Sequence, residues 1–193
     1  MAASPKPSQR LVVQTRSSDE TRQLAGAIAP LLVPGDVLVL SGDLGAGKTT
    51  FVQGLAKGLG IVERVTSPTF ILMKEYPGGR FPLMHLDVYR LGKIQEVIDL
   101  GIDEYLDPSY VVAVEWGDRV EPLLPQDHLN VELTHDGADS RTIAMTAKGG
   151  HWEARMAAIR DLAGGLKMSR RAKEPMLGED FQPGSPTEGG HNN

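Results

Sequence analysis

Val37-Leu38-Val39-Leu40-Ser41-Gly42-Asp43-Leu44-Gly45-Ala46-Gly47-Lys48-Thr49-Thr50 is the stretch whose reading decides the fold. Val37 to Leu40 is an unbroken apolar run, as a central strand of a parallel sheet requires. Gly42 to Thr49 matches the phosphate-loop pattern G-x-x-x-x-G-K-[ST] at every defined position. A helix is predicted from Lys48 to about Leu59, closed by Gly60. Strand, glycine-rich turn and helix therefore follow in the order that phosphate binding needs. The glycines let backbone N–H groups turn inward around phosphate oxygens, and the helix N-terminus adds partial positive charge. In such a loop Lys48 reaches the β- and γ-phosphates and the Thr49 hydroxyl ligates Mg²⁺.

Working outward, Ser18, Asp19 and Glu20 open a helix expected to run to about Leu32, capped by Ser17 or Ser18, with Leu24, Ala27, Ile28 and Leu31 on one face. On the C-terminal side, Phe70–Tyr76 and Phe81–Val88 read as strands joined by Pro77-Gly78-Gly79-Arg80 in an antiparallel hairpin. Residues 93–106 read as helix broken at Gly101, and Tyr110–Val114 as a second buried strand. Leu129–Leu133 and Thr142–Thr146 flank Asp136-Gly137-Ala138-Asp139 in a second hairpin, and Trp152–Leu162 is a closing helix. These elements predict an α/β chain. Its expected form is the P-loop NTPase three-layer fold, with a mixed, mainly parallel sheet and antiparallel hairpin additions. Residues 11–167 form that domain. Residues 1–10 are expected to be a disordered arm and 168–193 a disordered tail, since a segment so poor in large apolar residues cannot offset its ordering entropy.

The metal's carboxylate should stand at the end of another buried strand. Glu115 follows Val111-Val112-Ala113-Val114, four small apolar residues ending in an acid, and is the favoured metal ligand with Thr49. Asp87 follows Leu83-Met84-His85-Leu86 and reads as a second acid near the γ-phosphate, or else as a strand-end carboxylate. The catalytic set is thus Lys48, Asp87 and Glu115. Ser67 and Thr69 are candidates for sensing metal and γ-phosphate, or simply hydroxyls of a turn. His85 reads as a structural histidine, and Trp116 packs either on a nucleotide or on core.

Composition closes off other chemistry. The chain has 193 residues, a formal net charge of −5 and no cysteine. Disulfides, thiolate catalysis and Cys-ligated metal centres are excluded, and the acidic balance argues against a general nucleic-acid binder. Glycine, 22 of 193, lies above the usual share of about 7% and points to tight turns. No apolar run approaches the ~18 residues of a spanning helix, so a cytoplasmic protein without a membrane role is expected. A guanine-reading Asn/Thr-Lys-x-Asp motif is missing, and Asp87-Val88-Tyr89-Arg90 lacks the glycine of a GTPase switch motif, which favours adenine nucleotide.

Four blocks in order, Gly42 to Thr50, Ser67-Pro68-Thr69-Phe70, His85-Leu86-Asp87-Val88-Tyr89-Arg90 and Glu115-Trp116, resemble the bacterial TsaE (YjeE) family, over about Ser17 to Ala147. The resemblance implies an ATPase required for threonylcarbamoyl-adenosine formation in tRNA, beside the anticodon, with ATP and Mg²⁺ as cofactors. It implies a TsaD–TsaB-type transferase complex as partner, through which tRNA is met indirectly. It assigns the ATP phosphate positions to Leu44, Gly45, Ala46, Gly47, Lys48 and Thr49, followed by Thr50, and the metal positions to Thr49 and Glu115. Ser18, Asp118 and Arg141 align with further nucleotide contacts. A small-molecule phosphotransferase on the same scaffold and a regulatory nucleotide-binding module are the competing readings.

Overall fold

The computed structural model describes residues 9–91, 94–99, 101, 106–137 and 139–166. Seven strands form one sheet in the order β1-β7-β6-β2-β5-β4-β3. They are β1 (Arg10–Thr15), β2 (Val37–Ser41), β3 (Met73–Tyr76), β4 (Leu83–Asp87), β5 (Val111–Glu115), β6 (His128–His135) and β7 (Arg141–Lys148). The four central strands, β6, β2, β5 and β4, run parallel, and β7, β1 and β3 add antiparallel at the two edges. The α/β class and mixed sheet, P-loop-NTPase-like in its arrangement, agree with the sequence reading. Helices α1 (Ser18–Ile28), α2 (Lys48–Leu59), α3 (Ile94–Asp99) and α4 (Gly150–Gly165) complete the described elements.

The sheet buries a core on each side. Leu38, Leu40, Ala113, Leu129 and Val131 face α1, α2 and α4 through Leu24, Phe51, Leu55, Trp152 and Ile159. Val37, Val39, Val112, Val114 and Leu86 face the other way, toward Val97 of α3 and Val120. Strand residues alternate between the two cores, so β2 is apolar from Val37 to Leu40 and β5 from Val111 to Val114, with Ser41 and Glu115 polar only at the C-terminal ends.

Helix α1 starts where the Ser17 hydroxyl accepts the Glu20 N–H and Glu20 Oε2 accepts the Arg16 N–H, at 3.1 and 2.8 Å. Its buried face is Thr21, Leu24, Ala25 and Ile28, the expected Ala27 being only half-buried, and Pro30 converts its last turn to a 3₁₀ turn at Ala29–Leu31. Helices α1 and α2 touch backbone to backbone. A Cβ on Gly54 would lie 2.4 Å from the Arg22 carbonyl oxygen, and one on Gly58 would lie 2.6 Å from that of Gly26. At the far end of the sheet, the Arg155 guanidinium of α4 grips the buried Asp36 carboxylate with both arms, at 2.6 and 2.7 Å.

Four boundaries differ from expectation. Arg10–Thr15 forms an edge strand, so Arg10 belongs to the domain rather than to an arm; a short run on a half-exposed edge carries little pattern. The strand expected from Phe70 begins only at Met73. The Ile71 and Leu72 N–H groups both turn back to the Pro68 carbonyl, and Leu72 is left-handed, with φ 66°. The second hairpin is longer than expected, and its turn includes residue 138, outside the described residues. Helix α4 begins two residues early because the Asp127 carboxylate, from a distant segment, accepts the His151 and Trp152 N–H groups. Within 93–106, Ile94–Asp99 is helical and Gly101 follows in a turn; residues 93, 100 and 102–105 lie outside the described residues, as do 1–8 and 167–193. Among the described residues no helix is long and apolar enough to cross a membrane.

Candidate active site

Strands β2, β5 and β4 are parallel, so their C-terminal ends share one edge of the sheet, where α/β folds place ligands. The chain leaves β2 at Ser41, turns through Gly42 to Gly47 and enters α2 at Lys48. Gly47 caps α2 with φ 105° in the left-handed region, and Gly42 (φ 128°) sits where a Cβ would overlap the Leu133 carbonyl oxygen at 2.1 Å. Only glycine fits at both. The loop is propped from below. His135 Nε2 meets the Gly45 carbonyl at 2.8 Å, and Arg141, on β7, donates through Nε to the Ala46 carbonyl at 3.0 Å.

A cleft of about 310 Å³ opens over this loop. Leu44, Gly45, Gly47, Lys48, Thr49 and Thr50 form one wall, while Ala46 is buried beneath it. Asp87 and Glu115 close the floor, with Ser67, Thr69, Tyr89 and Trp116 around them. The structure thus brings together the predicted set Lys48, Asp87 and Glu115, and Thr49 with them.

Lys48 Nζ donates to the Gly42 and Asp43 carbonyls at 2.6 and 2.9 Å and lies 3.7 Å from the centre of the Trp116 ring. Burial pushes its ammonium below the usual lysine range; the carboxylates of Glu115, Asp87, Asp118 and Asp43 pull the other way. No carboxylate oxygen lies within ion-pair distance of it among the described residues. It is a buried cation facing a cleft, an arrangement that an anion would complete.

The two acids are paired in register, Asp87 opposite Glu115. Glu115 Oε1 accepts the Thr49 hydroxyl at 2.7 Å and meets His85 Nε2 at 2.9 Å. Asp87 Oδ2 accepts the hydroxyls of Ser67 and Thr69 at 2.9 and 2.5 Å, and its Oδ1 accepts the Tyr89 N–H at 3.0 Å. Asp87 therefore acts as a strand-end cap and also faces the cleft. Among the described residues there is no group of three or more His, Asp or Glu side chains around one point, so a metal here would draw on Thr49 Oγ1 and one carboxylate, together with groups from the ligand.

The remaining predicted contacts sit around the cleft rather than in it. Arg141 is mostly buried, held by the Ala46 and Asp139 carbonyls. Ser18 opens α1 just after Thr15, which pairs with Arg141, so both sit at the loop's side of the sheet. Asp118 lies in the 3₁₀ turn after Trp116. Trp116 is left-handed, with φ 60°, and its ring packs on the second core, on Tyr89 at 5.0 Å and under Lys48. Three arginines lie outside the cleft lining: Arg119 stacks on Tyr89 and Trp116, Arg90 covers the Phe70 ring at 4.2 Å, and Arg64 lines a separate groove with Gln53 and Lys57. Sequence reasoning missed the places of Tyr89 and His135 and the contact of His85; the two histidines acquire theirs through strand pairing, and Tyr89 through the turn that follows β4.

Comparison with known proteins points the same way. The family described as "Threonylcarbamoyl adenosine biosynthesis protein TsaE" matches residues 15–143. Among curated relatives is the tRNA threonylcarbamoyladenosine biosynthesis protein TsaE of Bacillus subtilis, 48% identical over 140 residues, which span 72% of this chain and 87% of that protein. The protein of the same description from Streptomyces coelicolor is 43% identical over 138 residues, 68% of this chain and 93% of its own. The crystal structure of Bacillus subtilis YdiB aligns with a TM-score of 0.69 at 41% identity, covering 79% of this chain and 95% of that one.

Proposed function

The chain belongs to the TsaE family, and from that premise we propose that it is a Mg²⁺-dependent ATPase of the three-layer P-loop type, required for forming threonylcarbamoyl-adenosine in tRNA. It works in the cytoplasm with a TsaD–TsaB-type transferase complex, and meets tRNA through that complex. The observation that carries the reading is the convergence at one cleft of Lys48, a buried cation with no ion-pair partner among the described residues, and of Thr49 bonded to Glu115.

The residues fit the cofactors. The backbone from Leu44 to Thr49 receives the phosphates, with Thr50 beside it, and Lys48 supplies the positive charge opposite the β- and γ-phosphates. Thr49 and Glu115 hold Mg²⁺, which when bound neutralises charge on the phosphate oxygens. The second carboxylate oxygen of Glu115 takes no hydrogen bond among the described residues and belongs to a side chain lining the cleft, as a ligand should. Asp87 is the second acid, near the γ-phosphate, where it or Glu115 would orient the attacking water. Ser18, Asp118 and Arg141 contact or support the nucleotide from the rim.

Phosphoryl transfer is mostly positioning and charge stabilisation, and a missing arginine finger costs about 10³–10⁵ in rate. Among the described residues lining the cleft there is no arginine. This supports a site that is slow alone and completed by its partners. The test is steady-state ATP hydrolysis by the protein alone, then with the cognate transferase pair, with Lys48→Ala as reference. The expected outcome is slow turnover alone, stimulation by the pair, and a loss of ATP affinity in Lys48→Ala of roughly 10- to 150-fold, equivalent to about 1.5–3 kcal/mol. Full turnover without the pair would overturn partner activation, and unchanged ATP affinity in Lys48→Ala would overturn the site.

A further inference from the structure

The Glu115 carboxylate is held from inside the protein by a residue that no part of the phosphate site accounts for. His85 is fully buried in the middle of β4, two residues before Asp87. Its register partner on β5 is Ala113, a residue with almost no side chain, and Glu115 lies two positions further along the same face. The small alanine leaves the imidazole room to reach along the sheet, where Nε2 meets Glu115 Oε1 at 2.9 Å. An ionised carboxylate only accepts, so Nε2 carries the proton. The other ring nitrogen, Nδ1, is buried without a hydrogen-bond partner among the described residues. A buried polar atom left unpaired costs stability, and a leucine of similar size would pack in this core without that cost. Packing alone therefore does not explain a histidine here; the contact with Glu115 does.

The consequence falls on the two oxygens of Glu115 separately. Oε1 is occupied twice, by His85 and by Thr49, whereas Oε2 takes no hydrogen bond among the described residues. We propose that His85 is a positioning residue for the metal: by anchoring Oε1 from the core, it fixes the carboxylate so that Oε2 is presented to a divalent cation beside the Thr49 hydroxyl. The proposal rests on the reading that Thr49 and Glu115 hold that cation. Partners of this kind, behind a metal ligand, are typically worth about 10- to 100-fold in metal affinity.

Mn²⁺ serves as the probe, titrated into the full-length protein saturated with ADP, with free Mn²⁺ followed by its electron paramagnetic resonance signal. Binding of labelled ADP without metal is measured in parallel. His85→Leu removes the donor and is expected to weaken Mn²⁺ at least about 10-fold, with metal-free ADP affinity unchanged within about threefold. His85→Gln keeps an N–H donor at nearly the Nε2 reach and is expected to restore most of the affinity. If His85→Leu does not fold, His85→Asn, whose shorter amide donates from the Nδ1 position, takes its place with the same expected loss. Wild-type Mn²⁺ affinity in the donor-lacking variant, or equal losses in it and in His85→Gln, would overturn the proposal. Glu115→Gln separates this from the reading beneath it. If Glu115→Gln also binds Mn²⁺ normally, the metal assignment itself fails; if Glu115→Gln loses Mn²⁺ while His85→Leu does not, only the role of His85 fails.

Discussion

Asp87 and Glu115 end adjacent parallel strands in matched register, and both are almost wholly buried, but what holds them differs. Glu115 is bonded to a fully buried histidine and to the first turn of α2. Asp87 is bonded to the hydroxyls of Ser67 and Thr69, in a loop whose next two residues, Phe70 and Ile71, are 81% and 62% exposed. One acid is tied to the core and the other to the surface. The first is suited to a fixed role, such as holding a metal. The second can exchange its partners when a ligand offers better ones, because its hydroxyl donors sit on backbone with little packed against it.

The strongest way to test this contrast is to neutralise each acid without changing its shape. Glu115→Gln is expected to lower Mg²⁺-dependent ATP hydrolysis by at least about 100-fold, since a metal's charge stabilisation is worth several kcal/mol, while metal-free nucleotide affinity stays within about threefold. Asp87→Asn is expected to slow turnover while keeping Mg²⁺-dependent nucleotide binding. Normal hydrolysis in Glu115→Gln with none in Asp87→Asn would mean the two roles are exchanged.

A second test asks whether the fixed side is fixed by the seating of α2. Gly54→Ala would place a methyl 2.4 Å from the Arg22 carbonyl oxygen and 2.7 Å from the Ala25 methyl. The expected cost is about 1–3 kcal/mol, or a melting temperature lower by roughly 2–12 °C for a chain of this size. Gly164→Ala, in a helix position with nothing within 4 Å, is the control and should leave the melting temperature level or slightly raised. A neutral Gly54→Ala would show that the two helices can separate without penalty.

The smallest effect is expected on the other side. Ser67→Ala with Thr69→Ala removes two hydrogen bonds to Asp87, yet both bonds are only part-buried, so global stability should fall by only about 1 kcal/mol. Limited proteolysis should quicken within residues 66–72 and nowhere near α2. A loss as large as that of Gly54→Ala would place this loop in the core after all.

The contrast between the acids also marks what could be read before any coordinates. Glu115 was legible because four apolar residues end in an acid, and the loop from Gly42 to Thr49 because its chemistry fixes its residue types. The support for Glu115 was not. His85 is a lone histidine in the sequence, and its meaning depends on the β4–β5 register that puts it beside Ala113. Phe70 and Ile71 misled for the opposite reason, being apolar in type but turned to solvent on a loop drawn toward Asp87. Strand β1 escaped because an edge strand needs few apolar residues, and the reason for glycine at 54 and 58 lies in their neighbours on α1, which no local pattern reveals.

That glycine contact gives the molecule an internal ruler. With α1 and α2 pressed backbone to backbone at Gly54 and Gly58, the separation of exposed positions such as Gln23 and Lys57 is set by van der Waals contact and not by the state of the cleft. A pair of spectroscopic labels there would read one distance under all conditions, while a pair on Leu44, which lines the cleft, and Phe70, which follows the cleft-lining Thr69, both more than three-quarters exposed, would read the opening itself.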